Sequence, residues 1–503
     1  MMKEIIINYA PQETRIAITE DGALVEFLIE RKREKGIAGN IYKGKVARVL
    51  PGMQAAFVDI GLDKAAFLHV SDLTAGPVDL HPLLTGTEDE IDFERPKPSS
   101  RRRLPIERQL SPGKEILVQA AKDPLGMKGA RITSHISLPG RYLVYMPTMK
   151  HLGVSRRIED EKERKRLKEI VQPLLPKEGG FILRTACEGR SKREIQRDVL
   201  FLTKLWGGIQ NKAGSENALP LIHQDLDLVA RTVRDFFTPD THRVMVDQAK
   251  EYRRLLDFVG HFMPRLKPKI THYTRPEPIM EHFGIEDKIR KALERKIWLK
   301  SGGHIIIERT EALIAVDVNT GRYVGKRNQE ETILRTNLEA AIEIVSQLRL
   351  RNIGGIIIID FIDMGKAANR KKVYDALKEA IKKDKARINI LQISELGLVE
   401  MTRQRSRESL ENLLLSACPY CDGRGRIKSH ATTAYEILRS VKKQEAHIEN
   451  SKRVVIRVHP EIANFLYDEA SESLDNLERE INRKIIIKVS QDLHQDHYEI
   501  SAL

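Results

Sequence analysis

The chain has 503 residues, too many for one small module, and at roughly 150 residues per domain its length predicts about three to four domains. Lys and Arg number 85 against 71 Asp and Glu, and the formal net charge of +14 favours a polyanionic partner. Three cysteines exclude a disulfide framework and indicate a reducing compartment, so we expect a cytoplasmic protein. The sequence contains neither an apolar run of about 18 residues nor a signal peptide, so we expect no membrane span and no secretion.

Short strands dominate the first quarter of the chain. The first three lie before residue 35 and enclose little core, so we expect them to pack against a later part of the chain. The next group is typical of a five-stranded OB-type barrel. Residues 73–113, rich in Pro and charge and containing the basic cluster 97–103, are interpreted as an insertion into a barrel loop. The predicted strands cover residues 4–8, 15–18, 23–29, 41–49, 55–59, 66–69 and 115–121.

Helices and strands are mixed in the rest of the chain. From residue 303 their alternation predicts one α/β domain with a mixed or parallel sheet, and a smaller helix-strand block begins at residue 430. Further strands are predicted over residues 142–146, 181–185, 303–308, 312–318, 355–359, 387–393, 453–458 and 484–489. Helices are predicted over residues 159–171, 192–210, 225–237, 246–262, 330–350, 366–383, 430–448 and 460–481.

Two acidic strand ends in the α/β domain form the strongest candidate site. Asp317 and Asn319 end one strand and project to the same side, because side chains alternate along a strand with a period of two. Asp360 ends another strand, and strand ends carry ligand sites in α/β sheets. Two or three hard oxygen ligands completed by water suit Mg²⁺. The pattern therefore predicts a magnesium site, although capping of turns after buried strands explains the two aspartates equally well.

Residues that follow the two aspartates are assigned supporting roles. Arg322, Lys326 and Arg327 place positive charge where a phosphodiester would lie next to Asp317. Asp363 and Asn369 are instead predicted to cap the helix that follows Asp360.

Aromatic and basic residues are interleaved in the predicted barrel. Phe57 and Phe67 lie on adjacent predicted strands, and stacking on such rings beside cationic side chains suits single-stranded RNA. Two phenylalanines in a barrel are also compatible with a place in its core, and the pattern alone favours that alternative. The tyrosine and basic residues close to them in sequence are Tyr42, Lys43, Lys45 and Arg48.

An Arg-Thr pair ends a strand in the middle region. Arg184 and Thr185 offer a guanidinium fork beside a hydroxyl, a combination that suits a terminal phosphate. A surface ion pair and a turn residue explain the same two residues without any ligand.

A C-x-x-C motif, Cys418 to Cys421, is followed by Gly423 and Gly425 and resembles half of a zinc site. A structural zinc ion needs four ligands, and Cys187 is the remaining cysteine of the chain. A redox motif is the alternative, but it requires a helix directly after the cysteines, and the glycines disfavour that helix. We expect Cys187 to be a buried, inert thiol.

Four consecutive sequence blocks carry a resemblance to a known family. They are residues 316–322 (VDVNTGR), 331–341 (ETILRTNLEAA), 347–351 (QLRLR) and 359–364 (IDFIDM). Together they resemble the catalytic core of the bacterial ribonuclease E/G family, and the similarity covers nearly the whole chain. Residues 122–131 and 138–147 resemble the branch of that family without a long disordered arm, as expected for a chain that stops at Leu503.

The resemblance implies a multidomain α/β architecture. In that family an OB-type barrel is inserted in an RNase-H-like domain, and a DNase-I-like catalytic domain, a zinc link and a small C-terminal α/β domain follow. The implied bounds are 1–35 with 210–290 for the RNase-H-like scaffold, 36–135 for the barrel with its insertion 73–113, 136–209 for a 5′-phosphate sensor region, 291–415 for the catalytic domain, 416–425 for the zinc link and 426–503 for the dimerisation domain.

The resemblance also implies residue roles in catalysis and RNA binding. Asp317 and Asp360 match the pair that holds one catalytic Mg²⁺, and Asn319 matches an asparagine that assists them. With this match added, turn capping becomes the weaker interpretation of the two aspartates. The RNA-binding positions of the family are matched by Phe57, Phe67, Lys122 and Lys128.

Two further sites follow from the same resemblance. Cys418 and Cys421 match a link in which two chains share one structural Zn²⁺, so a homodimer is expected. The 5′-monophosphate sensor of the family is matched by Arg184 and Thr185, with further contact from Arg156 and Arg157.

The sequence therefore predicts a magnesium-dependent endoribonuclease that cleaves single-stranded RNA to 5′-phosphate and 3′-hydroxyl ends. A preference for 5′-monophosphorylated substrates and roles in rRNA maturation and RNA decay are also expected. A non-catalytic RNA-binding or assembly factor is the alternative, because it would use the barrel and the positive charge but would not need Asp317 and Asp360. A nucleotide-binding enzyme is disfavoured, because no glycine-rich phosphate loop follows a strand.

Overall fold

A computed structural model describes residues 2–73, 104–124, 129–176, 178–215, 220–321, 329–384, 386–394, 397–404, 408–444 and 453–503. The chain folds into two compact units, residues 1–413 and 414–503. Among the described residues, four clusters of buried apolar side chains lie in the first unit and one lies in the second. No helix within these ranges is long and apolar enough to cross a membrane.

Eight strands build the beginning of the first unit. They are β1 (Lys3–Tyr9), β2 (Glu13–Glu20), β3 (Ala23–Arg31), β4 (Ile41–Leu50), β5 (Ala55–Asp59), β6 (Ala66–His69), β7 (Glu115–Lys122) and β8 (Arg131–Thr133). Strands β4, β5, β6, β8 and β7 are hydrogen-bonded in that order, and β4 also pairs with β7, which closes a five-stranded barrel. The sequence predicts this barrel but not its short strand β8. Most of the predicted insertion, including the basic cluster 97–103, lies outside the described residues.

A four-stranded sheet with two helices follows the barrel. Its elements are β9 (Leu138–Pro139), β10 (Leu143–Met146), β11 (Leu152–Val154), α1 (Glu161–Val171), β12 (Gly180–Leu183) and α2 (Lys192–Ala213), and β13 (Leu221–His223) then pairs with β4 of the barrel. Asp198 of α2 is buried and accepts hydrogen bonds from the backbone N–H groups of residues 141–143. Burial raises the pKa of Asp198, while these backbone bonds oppose the shift. The bonds fix α2 to the start of β10.

The N-terminal strands are completed by a later part of the chain. The elements are α3 (Leu228–Phe236), β14 (Thr241–Val246), α4 (Ala249–Phe262), β15 (Ile270–His272), α5 (Ile279–His282) and α6 (Ile285–Ala292). Strand β1 pairs in parallel with β14, and the sheet has the order β15-β14-β1-β2-β3. Its core contains Ile5 and Ile7 of β1 with Val233 of α3 and Val259 of α4. The first three strands thus obtain from residues 228–272 the core that they cannot enclose alone.

The α/β part of the first unit is a six-stranded mixed sheet with two long helices. Its elements are β16 (Lys296–Trp298), β17 (His304–Arg309), β18 (Leu313–Asn319), α7 (Gln329–Leu350), β19 (Gly355–Asp360), α8 (Ala367–Ile381), β20 (Ile388–Ile390), β21 (Leu398–Arg403) and α9 (Leu410–Leu414). The order is β16-β17-β18-β19-β21-β20, and β18 and β19 are parallel. Ile344 of α7 and Leu377 of α8 share one core cluster with Val316 and Ile359 of the sheet. The alternate residues of these two strands therefore face away from the helices.

The second unit is a small α/β fold. It contains α10 (His430–Gln444), β22 (Arg453–Val458), α11 (Pro460–Asp468), α12 (Ser471–Ile481), β23 (Lys484–Val489) and β24 (Glu499–Ala502). Strand β22 lies between β23, which is parallel to it, and β24, which is antiparallel. The single helix predicted over residues 460–481 is wrong, because the backbone leaves helical geometry at Ala470 and two helices form.

Candidate functional site

The two candidate metal-binding aspartates are direct neighbours in the mixed sheet. Asp317 of β18 and Asp360 of β19 are register partners in a parallel pair, so their Cα atoms lie on adjacent strands, about 5 Å apart. Val316, Val318 and Ile359 beside them are buried in the core, so both carboxylates face the opposite side of the sheet, where they are exposed. The strand ends predicted to converge do so.

Electrostatics at this pair favour a bound cation. Partial desolvation by the neighbouring residues raises the pKa of Asp360, and the nearby carboxylates of Asp317 and Asp363 raise it further. Asn319 donates a hydrogen bond from Nδ2 to Oδ2 of Asp317 at 2.7 Å, which orients that carboxylate. Two carboxylates held at one place are a fitting donor set for Mg²⁺, which commonly uses one or two carboxylates and completes its shell with water and substrate oxygens.

Helix α7 positions the segment that follows Asp360. Asn337 is fully buried, and its side-chain amide donates to the carbonyl of Ile362 at 2.8 Å and accepts from its N–H at 3.2 Å. The paired bonds fix the chain as it leaves β19, so the backbone that carries Asp360 is held from the helix side of the sheet. No sequence pattern marked Asn337, because the bond joins residues 25 positions apart.

The predicted cap of α8 is wrong. Lys366 occupies the N-cap position of α8 and makes no side-chain capping bond there. Glu330 of α7 accepts hydrogen bonds from the N–H groups of Gly365 and Lys366 and from Nδ2 of Asn369. A carboxylate from another helix therefore binds the backbone at the start of α8. Arg322, Lys326 and Arg327, predicted to lie near the phosphodiester, are outside the described residues.

One row of side chains crosses the barrel from strand to strand. Register pairs connect Arg48 to Phe57, Phe57 to Phe67, Phe67 to Arg131 and Arg131 to Lys122. Two aromatic rings thus stand between cationic side chains on both sides. Arg131 was not singled out from the sequence, because its place in the row depends on the pairing of β8 with β6 and β7.

The two phenylalanines lie at the surface of the barrel. Their ring centroids are 6.1 Å apart in an edge-to-face arrangement, and both side chains are half-buried and outside the hydrophobic cluster of the barrel. The core alternative for Phe57 and Phe67 is therefore wrong, whereas Tyr42 does belong to that core. Lys43 forms an ion pair with Glu115 at 3.0 Å. Lys128, matched to an RNA-binding position, lies outside the described residues.

The Arg-Thr pair occupies a polar site at the end of β12. Arg184 is 7% exposed, and its Nη1 donates to Oδ1 of Asp235 and to the carbonyl of Gly140, both at 2.9 Å. Burial alone would raise the pKa of Asp235, but the guanidinium groups of Arg234 and Arg184 hold it well below its usual range. Arg184 is thus part of a buried ion pair. The sequence interpretations were a phosphate ligand or a surface ion pair, and neither describes this arrangement.

The other predicted sensor residues are arranged around Ser155. Oγ of Ser155 lies 3.0 Å from Oγ1 of Thr185 and accepts from the N–H of Arg157 at 3.4 Å. Arg156 is exposed. The structure therefore brings Thr185 and the backbone of the Arg156-Arg157 pair together through one serine.

Cys418 and Cys421 form a compact turn rather than the start of a helix. The N–H of Gly423 bonds to the carbonyl of Cys418, and that of Gly425 lies 3.2 Å from Sγ of Cys421. Hydrogen bonds from the backbone of Cys421 and Tyr420 lower the pKa of the Cys418 thiol. Gly423 has a φ of +78°, which glycine tolerates. This geometry favours a metal-binding knuckle over a redox motif.

Cys187 is fully buried and donates to the carbonyl of Tyr142, as expected for an inert thiol. Across the described residues, no group of three or more His, Cys, Asp or Glu side chains is arranged to hold a metal ion. Each candidate site therefore offers two such residues from this chain.

Comparison with known proteins identifies the family. A model of the "Ribonuclease E/G family" matches residues 137–406, and a model of the "RNase E/G, Thioredoxin-like domain" matches residues 417–503. The chain is 44% identical to ribonuclease G of Escherichia coli and 43% identical to ribonuclease G of Haemophilus influenzae, over 99% of each chain in both cases. It is 36% identical to ribonuclease E of Escherichia coli, with 99% of this chain matching 46% of that protein. The predicted resemblance is confirmed: the chain belongs to the ribonuclease E/G family.

Proposed function

We propose that this chain is an endoribonuclease that hydrolyses phosphodiester bonds in single-stranded RNA and depends on Mg²⁺. The observation that carries the proposal is the register pairing of Asp317 with Asp360 on an exposed sheet face, in a chain 44% identical to ribonuclease G over its full length. The aromatic and basic row of the barrel supports single-stranded RNA as the substrate, because stacking and phosphate contacts bind such strands.

Asp317 and Asp360 would hold the metal ion, and Asn319 keeps the carboxylate of Asp317 in one orientation. A bound Mg²⁺ lowers the pKa of a coordinated water and offsets charge on the phosphoryl oxygens. The barrel row fixes the strand by stacking bases on Phe57 and Phe67 and by pairing phosphates with the cations beside them. Water adds to phosphorus as the P–O3′ bond breaks, and O3′ takes up a proton in exchange for the one that the water releases, which leaves a 5′-phosphate and a 3′-hydroxyl.

We also assign the finer architecture by family resemblance. The sheet of β1–β3, β14 and β15 with its helices corresponds to an RNase-H-like scaffold, and the six-stranded sheet with α7 and α8 corresponds to a DNase-I-like catalytic domain. Residues 426–503 serve dimerisation. We place the protein in the cytoplasm, where it acts in rRNA maturation and RNA decay.

Zinc is proposed to join two copies of the chain. Cys418 and Cys421 supply two thiolates with a knuckle geometry, and a tetrahedral structural zinc ion requires four ligands. Two chains that each donate this pair complete the site on a two-fold axis. Elemental analysis is expected to give one zinc per two chains. One zinc per chain, or a Cys418→Ser/Cys421→Ser variant that stays dimeric in light scattering, contradicts the shared site.

A preference for a 5′-monophosphate is proposed at Arg184, Thr185 and the Arg156-Arg157 pair. The guanidinium of Arg184 is already bonded to Asp235. A 5′-phosphate therefore has to share this guanidinium with the Asp235 carboxylate. Thr185 and the backbone of Arg157 meet at Ser155 and provide further polar contacts beside it. This arrangement supports a modest preference.

A 5′-labelled single-stranded RNA incubated with the pure protein tests the proposed function. Cleavage is expected with Mg²⁺ and is expected to stop with EDTA or in the Asp317→Asn variant, while the variant still binds RNA. A wild-type protein that binds the RNA but leaves it intact in Mg²⁺ favours the alternative, a non-catalytic RNA-binding or assembly factor.

A further inference from the structure

The sheet face that carries Asp317 and Asp360 extends beyond them toward β16. The pairing of β16 with β17 and of β17 with β18 is antiparallel and free of register shifts. Residues that lie directly opposite each other on paired strands point to the same face of the sheet. Along each strand, every second residue points to that face as well. The face can therefore be followed strand by strand away from the carboxylates.

Two adjacent cross-strand rows define this part of the face. One row runs from Lys296 through Ile306 and Asp317 to Asp360, and the other runs from Trp298 through His304 to Asn319. The residues between these positions on β17, such as Ile305, are buried in the core, which confirms the alternation. Trp298 thus stands on the same face as the carboxylates, two strands from β18, or about 10 Å at the usual strand spacing.

Trp298 presents a large aromatic surface to solvent. Its side chain is 63% exposed, and its ring centroid lies 5.3 Å from that of His304. Nζ of Lys296 lies 4.0 Å from the centroid of the indole. This exposure leaves much of the indole open to a planar ligand. An indole beside an imidazole and an ammonium group combines the stacking surface and the positive charge that bind nucleotides.

We propose that Trp298, with His304 and Lys296, is a stacking site for a base of the RNA strand next to the phosphodiester that is cleaved at the Asp317 and Asp360 site. The proposal rests on the proposed function and specifies a substrate contact within the catalytic sheet. A base stacks on the indole, and the ammonium of Lys296, which lies in the same row as the two carboxylates, pairs with a backbone phosphate.

This site differs from the aromatic row of the barrel in what it can control. Phe57 and Phe67 belong to a sheet that carries no candidate metal ligand, so their contact sets the affinity for the strand. Trp298 belongs to the sheet of the two aspartates, and Asn319, which bonds to Asp317, lies in its row. A base held at Trp298 therefore fixes the position of the phosphate relative to the carboxylates, and its loss affects turnover as well as affinity.

Aromatic substitution tests the stacking role. Trp298→Ala is expected to lower kcat/KM for a short single-stranded RNA about tenfold, because base stacking on an aromatic side chain is sequence-tolerant and strong. Trp298→Phe is expected to keep most of the activity. Ile342→Ala is the matched control, since Ile342 is an apolar residue, 61% exposed, on α7 at the other side of the sheet. Equal activity of the Trp298→Ala and control variants contradicts the proposal.

Fluorescence tests the contact without cleavage. The chain has two tryptophans, and the Trp206→Phe variant keeps only Trp298 as an emitter. Titration of this variant, with Asp317→Asn added to prevent cleavage, is carried out with the same RNA in Mg²⁺ and is expected to quench the emission, because a base stacks on the indole. Emission that does not change while RNA binding is detected by anisotropy overturns the proposal. This experiment needs no catalysis, so its outcome is separate from a failure of the proposed function, which appears as an inactive wild-type protein in Mg²⁺.

Substrates that lack one base locate the contact. A series of RNAs with a single abasic position is cut by the wild-type and Trp298→Ala proteins. One abasic position near the cleaved bond is expected to slow the wild type about as much as Trp298→Ala does and to slow the variant no further. If, at every abasic position tested, the rate loss from the missing base and the rate loss from Trp298→Ala simply multiply, the base does not stack on Trp298 and the proposal is contradicted.

Discussion

The barrel and the mixed sheet each present a row of non-core side chains that crosses several strands in register. In the barrel, the row joins Phe57 and Phe67 to flanking cations. In the mixed sheet, the row joins Asp317 to Asp360. Both rows form in the same way, because strand register and side-chain alternation bring residues that are distant in sequence onto one face of a sheet. The chemistry differs completely, since one row suits bases and phosphates and the other suits a cation.

This difference indicates that the barrel row binds the RNA strand and that the Asp317–Asp360 pair, here called the acidic row, acts in the chemical step. The barrel row offers contacts to any part of a strand, so it contributes to binding in the ground state. The acidic row repels a phosphodiester unless a cation lies between them, so its contribution depends on the metal ion and is made at the reacting phosphate.

The largest effect is expected from the acidic row. Asp317→Asn or Asp360→Asn is expected to lower kcat by about three orders of magnitude or more, because the loss of a metal ligand removes transition-state stabilisation. RNA affinity, measured by filter binding, is expected to stay within a few-fold of wild type. Asp363→Asn is the control, as Asp363 lies near Asp360 but outside the paired row. Undiminished cleavage by the Asp317→Asn or the Asp360→Asn variant refutes a role of the acidic row in the chemical step.

The barrel row is expected to show the opposite pattern. Phe57→Ala and Phe67→Ala are each expected to weaken RNA binding about tenfold, because each ring stacks on a base, and to leave kcat at saturating RNA nearly unchanged. Since the rings are 6.1 Å apart, the double variant is expected to lose less than the product of both effects. Phe57→Tyr keeps the ring and serves as the control. A large fall in kcat with unchanged affinity shows that the row acts in catalysis instead.

A smaller effect is expected at the 5′ end. RNA with a 5′-monophosphate is expected to be cut about fivefold faster than the same RNA with a 5′-hydroxyl, since few hydrogen bonds distinguish them. Thr185→Val is expected to reduce this ratio, and Thr203→Val, whose hydroxyl bonds within its own helix, is expected to preserve it. Arg184→Ala is less informative because it also breaks a buried ion pair with Asp235. Equal rates for both RNAs in the wild type exclude the sensor.

The smallest effect concerns the cations of the barrel row. Arg48→Gln and Lys122→Gln are each expected to lower the slope of log Kd against log salt by about 0.7, the value for one phosphate contact on a single strand. Arg131 is bonded to Asp72 at 2.9 Å, so Arg131→Gln is expected to change this slope less. Equal slopes in all three variants and the wild type indicate that the row does not contact phosphates.

Much of the secondary structure could be predicted because the signals are local. Short apolar runs identified the strands that carry Asp317 and Asp360, and the predicted start of α7 is within one residue of the observed one. Strand β8, with three residues, is too short for alternation to be recognised, and its pairing with β6 and β7 stabilises it. The break between α11 and α12 contains neither Gly nor Pro, so no local signal interrupts the predicted helix.

The sequence by itself determined the residue types of the candidate sites and the shared side of Asp317 and Asn319, because a period of two follows from backbone geometry. Only the tertiary structure decided the register that places Asp317 beside Asp360 and Trp298 in the row of Asn319. It also decided that Phe57 and Phe67 lie outside the barrel core and that Arg184 pairs with Asp235, 51 residues away. Register and burial depend on how distant segments pack together, and the side-chain pattern within one segment does not contain that information.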